Sequence, residues 1–210
     1  MRFNGCLRGE NEDRAGAERR PRGVAVKMSK IGYFSEFLLF PPLVLVATFL
    51  TFRDPGRPPL VTWMMAFCAG LAGWTLIEYL LHRLLFHHLP ILSRIHEQHH
   101  NSPEDLIGTP AWASASIALI AVATPAVAML GFDLGTAATA GMAAGYLWYV
   151  LIHYTAHHWR PPRGSYLYRV RLNHARHHYV SEAGNFGVTT DFWDRVFGTA
   201  IERRIAGHTE

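Results

Sequence analysis

Histidine is concentrated in four short clusters of this sequence, and imidazole is the commonest metal ligand among side chains. Twelve of the 13 histidines lie between residues 82 and 178. The clusters read "HRLLFHH" (82–88), "IHEQHH" (95–100), "HYTAHH" (153–158) and "NHARHH" (173–178). The remaining histidine, His208, stands in a polar tail, where we expect no role for it. Repeated clusters of this kind indicate metal binding.

The spacing within the clusters predicts that several rings share one face of a helix, as residues i, i+3 and i+4 do. Three sets have this spacing: His96, His99 and His100; His174, His177 and His178; and the pair His153 and His157, with His158 next to it. His82 and His87 are five positions apart, which turns them about 140° from each other on an ideal α-helix. Either those two contact different metals, or the helix breaks between them.

Ten to twelve converging histidines indicate two metal ions, because one ion takes about four to six ligands. Neutral imidazole binds Zn, Fe, Cu or Ni, so spacing alone leaves the metal open. The alternative is that each cluster is a structural or solvent-facing set. Burying that many imidazoles without a cation would be unfavourable, which argues against the alternative.

Four apolar stretches lie outside the clusters, two before the first cluster and two between the second and the third, and a spanning helix needs about 20 such residues. They cover residues 34–52, 60–81, 111–130 and 136–152. Pro41 and Pro42 predict a kinked or re-entrant first stretch. Gly141 and Gly145 form a GxxxG in the fourth, which we interpret as ordinary helix packing rather than a dimer contact. We therefore predict an all-α integral membrane protein with about four transmembrane helices and a cytoplasmic, histidine-rich helical cap.

The distribution of basic residues predicts the orientation. If all four stretches cross, 18 of the 20 Lys and Arg residues fall on one side and two on the other. The positive-inside rule makes the richer side cytoplasmic. Both termini and all four histidine clusters then lie in or next to the cytoplasm. The formal charge of +4 reflects these flanking residues, so we expect no nucleic-acid partner.

The N-terminal region differs from the rest of the chain. Residues 1–30 are polar and arginine-rich, and we expect a disordered basic tail there. Met28 begins a plausible shorter protein, which leaves open whether residues 1–27 belong to the native chain. Residues 31–210 are expected to form a single membrane-embedded domain with two metals.

The histidine pattern resembles that of the fatty acid hydroxylase/sterol desaturase superfamily of membrane oxygenases. The family pattern is HX4H, HX2HH, HX3HH and HX2HH, and the closing "NFGVTTDFWDRVFGT" (185–199) resembles its C-terminal signature. The stretches "EYLLHRLLFHH" and "FGVTTDFWDRVFGT" are most similar to the fatty acid 2-hydroxylase branch. The stretch "WRPPRGSYLYRVRLNHARHH" also resembles the beta-carotene hydroxylase branch.

The resemblance implies a set of ten metal ligands and a set of residues around them. The implied ligands are His82, His87, His96, His99, His100, His153, His157, His174, His177 and His178. His88 falls outside the first motif. Residues implied or expected to support the ligands by hydrogen bonding are Glu78, His158, Asp191 and Asp194. Snorkelling or pairing with a cation is the alternative for Glu78, and helix capping or lid packing is the alternative for the two aspartates.

The resemblance also implies the chemistry: two iron ions, replaceable by zinc in preparations, and dioxygen as co-substrate. The implied reaction is hydroxylation of a fatty acyl or related lipid chain taken from the bilayer. Electrons would come from a separate donor such as a cytochrome or a ferredoxin. The alternatives are a carotenoid or sterol hydroxylase or desaturase with the same centre, a haem-binding membrane electron carrier, a metal transporter and a zinc hydrolase.

Overall fold

The computed structural model describes residues 27–201, and within this range the chain is helical with no β-strand. The α-helices are α1 (Lys30–Phe34), α2 (Glu36–Arg53), α3 (Leu60–Leu80), α4 (Pro90–Asn101), α5 (Ala111–Ile117), α6 (Thr124–His158), α7 (Tyr166–Tyr179) and α8 (Phe192–Val196). Two π-helical segments, Leu81–Phe86 and Ala118–Ala123, follow α3 and α5 directly. The predicted all-α class is confirmed for the described residues.

The expected basic tail lies mostly outside the described residues, as does His208. The last four residues of this tail, 27–30, are among the described residues. Lys27 forms an antiparallel bridge with Ile107 and an ion pair with Asp105 at 2.5 Å. The chain therefore enters the first long helix from a fixed point on the loop that follows α4.

Three helical stretches of the described chain are long and apolar enough to cross a membrane: Lys30–Arg53, Leu60–Phe86 and Ala111–His158. Their large apolar side chains face outward; Leu45 is 68% exposed and Ile120 is 72% exposed. Such a surface suits lipid and is unusual for a water-soluble monomer. The chain is therefore a membrane protein. The first stretch is not re-entrant, since α2 continues as a helix through Pro41 and Pro42.

The third stretch folds back on itself. Its 48 residues would extend about 72 Å as a straight helix, more than twice the hydrocarbon thickness of a bilayer. Gly131 has a non-helical backbone, with φ 78° and ψ 171°. A Cβ built on Gly135 would lie 2.5 Å from Cα of Val127, whereas residues eight apart in a straight helix are about 12 Å apart. Residues 111–130 and 132–158 therefore form two antiparallel arms.

Close packing of α3 against α6 forms the centre of the bundle. A Cβ on Gly141 would stand 1.9 Å from the carbonyl oxygen of Phe67, so only glycine permits this approach. A Cβ on Gly145 would likewise stand 2.7 Å from Cβ of Trp74. The GxxxG thus packs within the chain, which agrees with its interpretation as ordinary helix packing.

Candidate metal centre

All four histidine clusters meet at one end of the bundle, where α3 and α6 end and α4 and α7 pack beside them. Pro90 opens α4 at its first turn, where a missing N–H is tolerated. The Ser165 side chain caps α7 by accepting from the N–H of Tyr168. The inward faces of these two helices bury His99, His174 and His177.

A π-helical turn brings His82 and His87 to the same site. Hydrogen bonding from i to i+5 widens the turn, so residues five apart approach one another on one side. The two rings stack with centroids 5.4 Å apart and planes 13° apart. The two histidines therefore belong to one group, and of the two explanations for their spacing, a break in the α-helix is the one observed.

The first histidine group contains five rings whose ligating nitrogens all lie within 4.8 Å of one another. Its members are His82, His87, His96, His100 and His177. Nε2 of His82 lies 3.0 Å from Nε2 of His96 and 3.0 Å from Nε2 of His177. Nε2 of His87 is buried without a hydrogen-bond partner among the described residues.

The second histidine group contains four rings whose ligating nitrogens also lie within 4.8 Å of one another, and a fifth ring is in contact with one of them. The four are His99, His157, His174 and His178. Nε2 of His153 lies 3.1 Å from Nε2 of His99, which adds the fifth ring. Nε2 of His174 is 2.8 Å from Nε2 of His157.

The two groups are adjacent because α4 and α7 each contribute to both. The i, i+3, i+4 spacing sends His96 and His100 of α4 to the first group and His99 to the second. His100 of the first group stacks on His178 of the second, with centroids 4.1 Å apart. The structure thus brings all ten of the expected ligands together as two neighbouring sets of five nitrogens.

The protonation of two rings indicates that a cation belongs in the first group. Nδ1 of His82 donates to the Phe186 carbonyl at 2.7 Å, and Nδ1 of His177 donates to the Gly184 carbonyl at 2.8 Å. In a neutral imidazole the other nitrogen then carries a lone pair. Two Nε2 lone pairs face each other at 3.0 Å and repel unless a cation lies between them.

Burial keeps the rings neutral. It lowers the pKa of His99 and His177 to about 3, and that of His174 well below its ordinary value. Neighbouring histidines lower all three further, since each disfavours a positive charge on the others. Neutral imidazole is the form that binds metal, so the donors are available at neutral pH.

The distances also fit a metal with more than four ligands. Two nitrogens about 2.1 Å from an ion lie about 3.0 Å apart at a right angle and about 3.4 Å apart at the tetrahedral angle. The observed Nε2 separations run from 2.8 to 3.1 Å. Separations near 3.0 Å between neighbouring donors are shorter than the tetrahedral site of structural zinc would give.

The loop over residues 184–190 holds the two carbonyls that orient His82 and His177, and two buried carboxylates hold the loop. Asp194 accepts from the backbone N–H of Phe186 at 2.9 Å and of Gly187 at 2.8 Å. Glu78 accepts from the backbone N–H groups of residues 188 and 189 at 2.6 and 2.8 Å. Neither carboxylate accepts from a histidine ring among the described residues. Both support the ligands through the loop, as outer-shell partners do.

The other candidate residues lie away from the rings. His158 is exposed and stacks on Tyr154 with centroids 4.3 Å apart. Asp191 pairs with Arg195 at 2.6 Å on the surface of α8, one turn along the helix. His88 is also exposed. The Asp191 side chain makes no capping hydrogen bond to α8 among the described residues.

Sequence reasoning missed the carbonyls of Gly184 and Phe186. Any residue supplies a backbone carbonyl, so side-chain identity carries no signal for these acceptors. The residue that could have indicated this loop is Asn185, in the C-terminal signature. It is buried and has φ 55°, a left-handed conformation that asparagine tolerates. Its side chain accepts from the N–H of Ile201 at 2.8 Å, which fixes the loop between the two carbonyls.

The close packing of the rings argues against haem. A porphyrin with two axial histidines must fit between their facing nitrogens. Here the rings of each group are in close contact, with centroids of His82 and His177 only 4.4 Å apart and those of His99 and His153 4.6 Å apart. A flat macrocycle has no gap to enter between these pairs.

Comparison with known proteins identifies relatives of the chain. The sequence model of the fatty acid hydroxylase family matches residues 67–199, which include all four clusters. A fatty acid 2-hydroxylase of Macaca fascicularis is 32% identical over 205 residues, covering 84% of this chain and 55% of that protein. A ceramide very long chain fatty acid hydroxylase of Schizosaccharomyces pombe is 37% identical over 150 residues, covering 63% and 41%.

A solved structure of a hydroxylase is also similar to this chain. It is described as full-length scs7p with only the hydroxylase domain visible, and it has a TM-score of 0.70 and 29% identity to this chain. The match covers 84% of this chain and 70% of that one. This chain spans about half the length of the curated relatives it matches. The resemblance drawn from the histidine motifs is confirmed, and the chain belongs to the fatty acid hydroxylase family.

Proposed function

We propose that this chain is a membrane-bound, dioxygen-dependent hydroxylase of fatty acyl chains with two iron ions at its centre. One observation carries the proposal: ten buried or half-buried imidazoles form two adjacent sets of five nitrogens. Relatives named as fatty acid 2-hydroxylase and ceramide fatty acid hydroxylase support the substrate class.

The proposed metals are iron, with zinc as a substitute in preparations. His82, His87, His96, His100 and His177 would hold one ion, and His99, His153, His157, His174 and His178 the other. When bound, such an iron pair supplies dioxygen activation for attack on an unactivated C–H bond. The protein's own contribution is positional: the loop carbonyls fix the ring orientations of His82 and His177, and burial limits the access of water.

The proposed topology has four crossings, with the arms 111–130 and 132–158 as the third and fourth. The metal centre and both termini would lie on the cytoplasmic side, as the distribution of 18 and two basic residues favours. A lipid is already concentrated in the bilayer, so its acyl chain can reach the centre laterally between the helices. A separate cytochrome or ferredoxin would supply electrons from the cytoplasm.

The test is hydroxylation by the purified protein reconstituted with iron, a reductant and a reducing partner in lipid. We expect fatty acyl products that gain one oxygen, and no product when dioxygen or reductant is withheld. Loss of two hydrogens instead would identify a desaturase, and oxygen gained only by a carotenoid or sterol would contradict the substrate class. Product that continues without dioxygen would indicate a hydrolase and refute the proposal.

Two histidine variants make the test specific to the centre. His177→Ala removes a buried ligand of the first group and should lower bound iron and product together. His158→Ala removes an exposed ring that stacks on Tyr154, so iron and product should match the unaltered protein. Equal loss in both variants would show that the effect is not specific to the proposed ligands.

A further inference from the structure

Arg171 is a partly buried cation beside the second histidine group, and it has no anionic partner in the part of the chain that the structure describes. It lies on α7, three residues before His174 and seven before His178, so the three side chains share one helix face. Its Nε is buried and has no hydrogen-bond partner, and the guanidinium forms no ion pair with another described residue. A buried guanidinium N–H without an acceptor is unfavourable, which indicates that a ligand completes it.

A cavity of about 160 Å³ lies next to this side chain. Its walls combine Arg171 with the ligand helices and the loop after α4: Pro103, Glu104, Ala156, His157, His174 and His178. The volume is too small for a whole lipid and suits the polar end of one. The histidine wall places any group in this cavity beside the second proposed metal.

The charges around the cavity favour an oxygen-bearing ligand. Neutral imidazoles bring no negative charge, so a bound divalent ion keeps its full charge beside the Arg171 guanidinium. Glu104, the carboxylate that lines the cavity, is exposed and makes no ion pair with Arg171. A planar guanidinium donates paired N–H groups to carboxylate or carbonyl oxygens.

We propose that Arg171 binds the C1 oxygen of the acyl substrate in this cavity and so presents the neighbouring carbon to the second metal. This inference rests on the proposed function and names the residue that sets which carbon reacts. The shared chemistry is an acyl oxygen, carried either by the carboxylate of a free fatty acid or by the amide carbonyl of a ceramide. Arg171 is thus a substrate-binding residue and not a metal ligand.

The experiment measures equilibrium binding to the zinc-loaded protein in lipid nanodiscs, where no turnover occurs. A fluorescent fatty acid is displaced by a long-chain fatty acid, by an N-acyl sphingoid lipid or by an alkane of the same length. In Arg171→Gln we expect affinity for the acyl ligands to fall roughly 10- to 100-fold, as for loss of a charge-assisted hydrogen bond, with alkane affinity unchanged. Arg171→Lys, which keeps the charge without the paired donors, should be intermediate.

Arg169→Gln is the matched control, because Arg169 lies on the same helix with an exposed side chain. Weakening of the fatty acid alone in Arg171→Gln identifies a carboxylate as the ligand, and weakening of both acyl ligands identifies a carbonyl. Unchanged affinity for both, with two zinc ions still bound per chain, would overturn the inference. So would equal weakening of the alkane.

The position of the hydroxyl group gives an independent readout in the iron-loaded protein. Arg171→Gln should spread hydroxylation from C2 to other carbons, whereas Arg169→Gln should not. If the unaltered protein forms no hydroxylated lipid, the proposed function fails, while the binding comparison still decides the role of Arg171.

Discussion

Replacing Asp194 with asparagine should remove one metal ion and leave the other. The Asp194 carboxylate is fully buried and accepts from two backbone N–H groups, at Phe186 and Gly187, and from the Thr199 hydroxyl at 2.7 Å. An asparagine keeps one acceptor oxygen and puts an NH2 donor against the other backbone N–H. The loop whose carbonyls orient His82 and His177 loses half of this anchor.

The magnitude follows from those bonds. A hydrogen bond to a charged group contributes about 1.5–3 kcal/mol, and a buried N–H left unpaired costs about 1–3 kcal/mol. Asp194→Asn should therefore destabilise the loop by roughly 2.5–6 kcal/mol. Loss of outer-shell partners typically lowers metal affinity 10- to 100-fold, and both affected rings belong to the first histidine group.

The assay is metal analysis of the purified variant after dialysis against a weak chelator. We expect the content to fall from two ions per chain toward one, with the second group still loaded. Asp191→Asn is the control, because the Asp191 side chain is 42% exposed and pairs with Arg195 on the surface of α8. Two ions retained in Asp194→Asn, or both lost together, would refute the link between this loop and the first group.

Three further predictions concern the support of the site and the bundle. Glu78→Gln should also lower the metal content toward one per chain, since Glu78 anchors the same loop through residues 188 and 189; an unchanged content would contradict this. Gly141→Val should lower the thermal midpoint, because a Cβ would stand 1.9 Å from the Phe67 carbonyl, and a midpoint equal to that of the unaltered protein would count against the close contact. Burial lowers the pKa of His99 and His177 to about 3, whereas unfolded histidines titrate near 6.5. The unfolded metal-free chain then binds more protons between these values, so its stability should fall as the pH drops below about 6.5; a flat thermal-unfolding profile down to pH 4 would oppose this.

The helical spacing of the histidines predicted most of the candidate metal centre. Rings at i, i+3 and i+4 on α4 and α7 met as the periodicity predicts, because the helix fixes side-chain direction independently of tertiary contacts. The division of each helix between two groups was not predictable, since it depends on how the helices cross. His100 and His178 stack across the groups at a contact that no local pattern encodes.

The sequence left the local irregularities of the helices open. The π-helical turn that unites His82 and His87 replaces an α-helical turn without a distinct residue signature. Of the kink and the re-entrant segment that Pro41 and Pro42 predicted, the re-entrant segment is not observed, because α2 continues through both prolines. Gly131 reverses the third apolar stretch with a positive φ, which glycine permits at little steric cost.

The second layer around the metals was only partly visible in the sequence. Glu78 was expected to support the ligands by hydrogen bonding, and it lies one helical turn before His82 on the same face. The structure instead directs that carboxylate to backbone N–H groups 110 and 111 residues away, and the Phe186 carbonyl takes the ring. Contacts between residues this far apart in the sequence depend on the tertiary fold, and the periodicity of one helix does not predict them.

The most direct test of the central claim is an anomalous diffraction map collected at the iron edge from crystals of the iron-loaded protein. The two histidine groups predict two separate peaks, one among His82, His87, His96, His100 and His177 and one among His99, His153, His157, His174 and His178. A single peak, or two peaks outside these rings, would contradict the account.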